Sequence, residues 1–177
     1  LLSYISKDVK ADLVLVTVKA WQVKEIASQL KAVVDENTMV LPLQNGVLAS
    51  DELKEFLPAK NVLAGLCRII SKIESQGAIS HFGVEPTIVF GETDNSKSTR
   101  VVELCHIFND AGFKAKVADD IQSELWKKFI AICVSALLAV TRSTYGEVRE
   151  LPETREMMFQ LFTEIATLAS LLNVHID

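Results

Sequence analysis

Two periods of hydrophobicity alternate in the first half of the chain. The run Asp12-Leu13-Val14-Leu15-Val16-Thr17-Val18 is continuous and β-branched, the pattern of a strand covered on both faces. Trp21–Val33 follows, with Val23, Ile26, Ala27, Leu30, Val33 and Val34 recurring at helical spacing. Thr38–Leu43 is the next apolar run, and Asn45-Gly46 ends it with a turn. Ser50–Leu57 reads as a short helix opened by a capping box at Ser50-Asp51-Glu52-Leu53 and closed by Pro58. Strand, helix, strand, helix predicts βαβ units and a parallel sheet.

After Lys60 the pattern changes. Val62–Ile70, Ala78–Phe82 and Thr87–Phe90 read as three strands with short links, antiparallel or mixed in pairing. Ser98–Asp110 is a predicted helix with Val101, Val102, Leu104, Cys105 and Phe108 inward, and Gly112 supplies its left-handed end. Phe113–Val117 is expected as a last edge strand. From Asp119 the chain reads as helical: one long helix over about Asp120–Thr141, a loop around Ser143-Thr144-Tyr145-Gly146, and a second helix over Pro152–Leu172. The expected class is α/β, a partial Rossmann-type sheet followed by an all-helical C-terminal domain. The boundary is placed between residues 118 and 119, giving domains 1–118 and 119–177.

Bulk properties narrow the function classes. With 177 residues, 49% of them hydrophobic, the chain can bury a real core. A formal net charge of -5 and the lack of a basic stripe argue against a nucleic-acid partner. The apolar run Phe129–Val140 is shorter than the roughly 20 residues that span a bilayer, so no membrane partner is expected. Leu1-Leu2-Ser3-Tyr4 lacks the charged and long apolar regions of a signal peptide, which points to a cytoplasmic protein. The same start lacks an initiator Met, so the numbering is expected to begin inside a longer chain. Cys67, Cys105 and Cys133 are far apart in apolar company and read as buried thiols, with no disulfide frame and no metal site.

Candidate chemistry lies at the predicted strand ends and on the long helix. In open α/β sheets, ligands bind outside the carboxyl ends of parallel strands. Lys19 falls directly past the first strand, and Leu43-Gln44-Asn45-Gly46-Val47 puts a side-chain amide past the second. A cation there suits a phosphate or carboxylate, and an amide can both donate and accept. Asn45-Gly46 is equally a common tight-turn pair, and Lys19 equally a solvated helix-entry residue. Glu124-Leu125-Trp126-Lys127-Lys128-Phe129 opens a helix that is apolar to Val140 except for Ser135. A partly desolvated lysine loses basicity and becomes a proton donor near neutral pH. Alternatively, both lysines snorkel to water over the helix's first turn. No Gly-x-Gly-x-x-Gly cradle is present.

Several stretches together resemble the ketopantoate reductase (2-dehydropantoate 2-reductase) family. They are Leu15-Val16-Thr17-Val18-Lys19-Ala20-Trp21-Gln22-Val23, Leu43-Gln44-Asn45-Gly46, Gly77-Ala78-Ile79-Ser80-His81, Glu124-Leu125-Trp126-Lys127-Lys128 and Tyr145-Gly146-Glu147-Val148-Arg149. The resemblance implies NADPH-dependent reduction of a 2-keto acid, ketopantoate to pantoate in the family's own reaction, with NADP as cofactor. It makes Lys128 the general acid that protonates the developing alkoxide. It places Lys19, Asn45 and Gly46 in cofactor binding, and Lys19, Asn45 and Lys128 around the substrate. It also implies that a glycine-rich strand–turn–helix precedes Leu1 and that further helices follow Asp177, so that this chain alone is expected to be inactive.

One departure from the family stands out. Where its members place asparagines one and two turns after the lysine, this chain has Ile132 and Ala136. That implies either a more apolar 2-keto acid or a shift in helix register. The alternatives are a related hydroxyacid dehydrogenase with another substrate and a non-catalytic reductase-like interaction or ligand-sensing module. The apolar helices Phe129–Val140 and Met157–Leu172 would suit a homodimer.

Overall fold

A computed structural model describes residues 10–176; the Leu1-Leu2-Ser3-Tyr4 start and Asp177 lie outside the described residues. Strand β1 (Leu13–Val16) and strand β2 (Met39–Pro42) pair in parallel, Leu13 opposite Met39 and Val16 opposite Pro42. Helix α1 (Val23–Leu30) connects them and buries Val23, Ala27 and Leu30, its i, i+4, i+7 stripe. It is shorter than predicted because Ala20–Gln22 forms a 3₁₀ turn first, with Lys19 in an extended conformation before it.

Helix α2 (Ala49–Lys54) corrects the expected capping box. Its N-cap is Leu48, and Ser50 is buried inside the first turn, its hydroxyl donating to the Leu63 carbonyl at 3.0 Å. Beyond it, Asn61 is wholly buried and its amide donates to the Asp35 and Thr38 carbonyls at 2.7 and 2.6 Å. That clasp holds the entry to β2 against the entry to strand β3 (Leu63–Arg68), and a parallel bridge joins Val40 to Val62.

Strand β4 (Ser71–Ser75) was not anticipated. It forms a two-stranded antiparallel hairpin with β5 (Ala78–His81), turning at Gly77 with φ +78°. Every residue of β4 is exposed, so burial leaves no alternation to read there. Strand β6 (Thr87–Glu92) pairs antiparallel with β3 and parallel with β7 (Lys114–Val117), which makes the mixed sheet expected and puts β7 at its edge. Helix α3 (Thr99–Asp110) packs Val101, Leu104 and Phe108 with Leu41, Leu63 and Phe90. Cys105 lies partly buried against this cluster, but Val102 faces outward, 41% exposed, a departure from the expected inward set.

The C-terminal segment is helical throughout: α4 (Ile121–Thr141), α5 (Tyr145–Glu150) and α6 (Pro152–Leu171). The expected loop holds for Ser143-Thr144, whereas Tyr145-Gly146 already begin α5. Thr144 caps it and forms a reciprocal capping box with Glu147. Nor is α4 wholly buried, as its composition suggested: Ala131, Ser135, Ala136, Ala139 and Val140 are exposed. None of the three cysteines is in a disulfide, and all three are half-buried, where full burial was expected.

Two compact units result. The first comprises the residues up to Gln44 together with Leu48–Ile121, and the second comprises Asn45–Val47 with the chain from Gln122 onward. Among the described residues, the first has one apolar core under α1 and α2 around Val16, Val23 and Leu53, and another under α3. The second is centred on Trp126, Ile165 and Ala169. Among the described residues no helix is long and apolar enough to cross a membrane.

Candidate active site

The parallel pairing of β1 and β2 brings their carboxyl ends to one edge. The Leu43 N–H donates to the Val16 carbonyl at 3.0 Å, and the Gln44 side-chain amide donates to the same oxygen at 2.9 Å. Gln44 is buried, and its Oε1 has no hydrogen-bond partner among the described residues. Sequence reasoning gave the strand-end amide to Asn45; the amide that is held in place is Gln44. Its signal was the placement of an amide directly after an apolar strand, masked by the Asn-Gly turn beside it.

Lys19 leaves β1 at this edge as an exposed side chain. Its backbone N–H donates to Gln22 Oε1 at 3.1 Å and its carbonyl accepts from the Gln22 N–H at 2.8 Å, so the 3₁₀ turn fixes the backbone and leaves the ammonium to solvent. Asn45 is exposed. Gly46 has φ +109°, a conformation only glycine adopts without strain, and nothing lies within 4 Å of where a Cβ would be. The turn therefore offers open backbone, as a site approached closely by a ligand requires.

The second unit joins this turn to the lysine helix. Val47, two residues after Asn45, packs against the cluster of Trp126, Ile165 and Ala169. Trp126 is 4% exposed and meets Phe129 edge-on at 5.7 Å between ring centroids. Lys128 lies between these two aromatics in sequence and is half-buried on the second turn of α4. Asn45, Gly46 and Lys128 thus belong to one compact unit, whereas Lys19 belongs to the other.

Further along α4, Ile132 is half-buried and Ala136 exposed. Ser135 Oγ donates to the Ala131 carbonyl at 2.8 Å and lies 2.8 Å from the Tyr145 hydroxyl, tying the first residue of α5 to α4. A largely apolar cleft of about 390 Å³ opens between α4 and α6, lined by Cys133, Ala136, Leu137, Met157 and Leu161 among others. Burial pushes the Cys133 thiol above its ordinary range, so it is an inert wall of that cleft at neutral pH.

Comparison with known proteins places these features in a family. The family profile described as "Ketopantoate reductase PanE/ApbA" matches residues 3–95, and its C-terminal counterpart, "Ketopantoate reductase PanE/ApbA C terminal", matches residues 120–177. The 2-dehydropantoate 2-reductase of Lactococcus lactis subsp. lactis (strain IL1403) is 26% identical, covering 99% of this chain and 56% of the relative. A PanE/ApbA family ketopantoate reductase from Ralstonia eutropha JMP134 superposes with TM-score 0.83 at 27% identity, covering 96% of this chain and 55% of that one. A D-mandelate dehydrogenase, solved with NADH and anilino(oxo)acetate, superposes with TM-score 0.86 at 21% identity, covering 99% of this chain and 56% of that one. The chain spans about half the length of the curated relatives it matches.

Proposed function

The chain belongs to the ketopantoate reductase family, and from that premise we propose that it carries the general acid and part of the cofactor edge of an NADPH-dependent 2-keto acid reductase, acting on ketopantoate. The observation that supports this most is the packing of Val47 onto the Trp126 cluster, which sets the Asn45-Gly46 turn and Lys128 in one unit.

The groups present fit a nicotinamide nucleotide. In the second unit Gly46 leaves room for close approach; in the first, taken by itself, Gln44 Oε1 is a buried acceptor in want of an N–H such as a carboxamide offers. Lys19 supplies a solvent-facing cation suited to a phosphate or carboxylate. When bound, the nicotinamide supplies the hydride. The protein's own part is to orient the keto acid with Asn45 and to deliver a proton from Lys128 Nζ to the carbonyl oxygen as it becomes an alkoxide. An ammonium at that oxygen also stabilises the charge that develops there, the kind of term that dominates such barriers.

The test is NADPH oxidation with ketopantoate, using the natural protein that carries this chain. Lys128→Ala should lower kcat by about 10²–10³, the loss typical of one oxyanion donor. A rate within a few-fold of the parent would overturn the assignment. Lys19→Ala should act mainly on KM, as a binding group does. The proposed cofactor is NADP, and parallel assays with NADPH and NADH decide it, since one solved neighbour is a complex with NADH. A cytoplasmic location is part of the same reading.

A second reading, a reductase-like module that docks without catalysis, draws on the apolar exposure of the second unit, where Val140 is 82% and Leu171 75% exposed. The same surface suits a homodimer. Turnover with an unchanged sedimentation profile would set the docking reading aside.

A further inference from the structure

The hydroxyls of Ser135 and Tyr145 form a chain whose polarity is fixed by counting protons. Ser135 has one hydroxyl proton, and it is committed to the Ala131 carbonyl at 2.8 Å. The 2.8 Å contact between Ser135 Oγ and the Tyr145 hydroxyl must then be donated by the tyrosine. Both protons are spent. What remains on the Tyr145 oxygen is acceptor capacity only, on a side chain that is 45% exposed. Such a pair has nothing to offer a carboxylate or a ketone oxygen; it recognises a group that donates.

Its place on α4 gives that preference a use. Ser135 follows Lys128 by seven residues, which in an α-helix is the same stripe to within about 20°, roughly 10.5 Å further along the axis. Between them on that side of the helix stands Ile132, and Ala136 lies just past Ser135; both have only carbon to present. A 2-keto acid whose carbonyl oxygen meets Lys128, and which bears a hydroxyl on its fourth carbon, carries that hydroxyl along the same stripe toward the pair.

We propose that Tyr145, held by Ser135, is a specificity-determining residue that accepts a hydrogen bond from a side-chain hydroxyl of the 2-keto acid. This rests on the reductase reading above. It assigns substrate choice to the hydroxyl pair, with the apolar residues beside it enclosing the carbon skeleton.

The experiment compares two acids that differ by one oxygen, ketopantoate and 3,3-dimethyl-2-oxobutanoate, in the natural protein and in Tyr145→Phe and Ser135→Ala. The readout is the ratio of their kcat/KM values. The parent should favour the hydroxylated acid, and Tyr145→Phe should lower the ratio by tenfold or more, because a site built around a hydroxyl discriminates strongly against its absence. Ser135→Ala, which frees the tyrosine to rotate, should lower it less. A purely structural role for the pair would affect both acids alike and leave the ratio within twofold of the parent, which overturns the proposal, as does a parent ratio near one. Failure of the reductase reading looks different: neither acid is then reduced by any of the proteins, and both readings fall together.

Discussion

A Cβ placed on Gly65 would lie 2.5 Å from Leu41 Cδ1, 3.2 Å from Phe90 Cβ and 3.3 Å from the Pro42 carbonyl oxygen. Leu41 can turn away, but the β-carbon and the backbone oxygen cannot, so Gly65→Ala should overpack this core and cost about 1–3 kcal/mol. Thermal unfolding would show it, at about 2–4 °C per kcal/mol for a chain of this size. Glu92 is a second such position. Burial alone would raise its carboxyl, yet hydrogen bonds from Arg100 at 2.6 Å to each oxygen and from Ser98 at 2.6 Å outweigh this and hold it below the usual carboxylate range. With the folded value depressed, the pair stabilises the protein above the unfolded value of about 4.3 and is lost as pH falls through the folded one. Arg100→Met should therefore cost about 2 kcal/mol at pH 7, between the values for exposed and buried pairs. Denaturant melts should show the difference shrinking below about pH 4.

Among the elements, those with a buried stripe were legible in the sequence. β1, β2, α1, α3, α4 and α6 all lie where periodicity placed them, because each buries an apolar face at its own period. Caps were less well read. Ser50-x-x-Leu53 resembles a capping box only in its first residue, and Ser50 proved to bind a neighbouring strand. Thr144-x-x-Glu147 has the full signature, and there the helix begins. Thr144 N–H and Oγ1 both donate to Glu147 Oε2, at 2.6 and 2.9 Å. Thr144→Ala should cost about 1 kcal/mol, seen as faster amide exchange over 145–150. β4 left no trace because none of its side chains is buried. Of the candidate site, Lys19 and Asn45 could be picked out from residue type and position, and Lys128 rather than Lys127 only through the family resemblance. Gln44 was masked by the Asn-Gly turn beside it, and the Ser135–Tyr145 pair left no signal because it joins two separate helices.

For the molecule as a whole, the division into two units follows no linker. It falls inside the first turn of α4, where Ile121 is wholly buried and its N–H donates to Asn95 Oδ1 at 2.9 Å. A sequence search for Gly/Ser-rich tracts has nothing to find at such a place. Nor could it foresee that three residues, Asn45–Val47, would leave the first unit for the second. Val47→Ser should loosen that attachment at a cost of about 1 kcal/mol. The change would appear as faster amide exchange over 45–47 and a raised KM, with little change in the first unit's melting.

The β4–β5 hairpin bears on how the protein behaves in crowded solution. Ile73 and Ile79 are directly opposed across its strands and are 77% and 73% exposed, an oily pair on an otherwise hydrophilic ribbon. Beside them Lys72 and Glu74 form an ion pair at 3.1 Å, and Ser80 donates to Glu74 at 2.6 Å. Charges on so open a ribbon contribute little to holding the fold. Their effect is colloidal: they keep two such ribbons from zipping together edge to edge, and that guard weakens when salt or acid silences them.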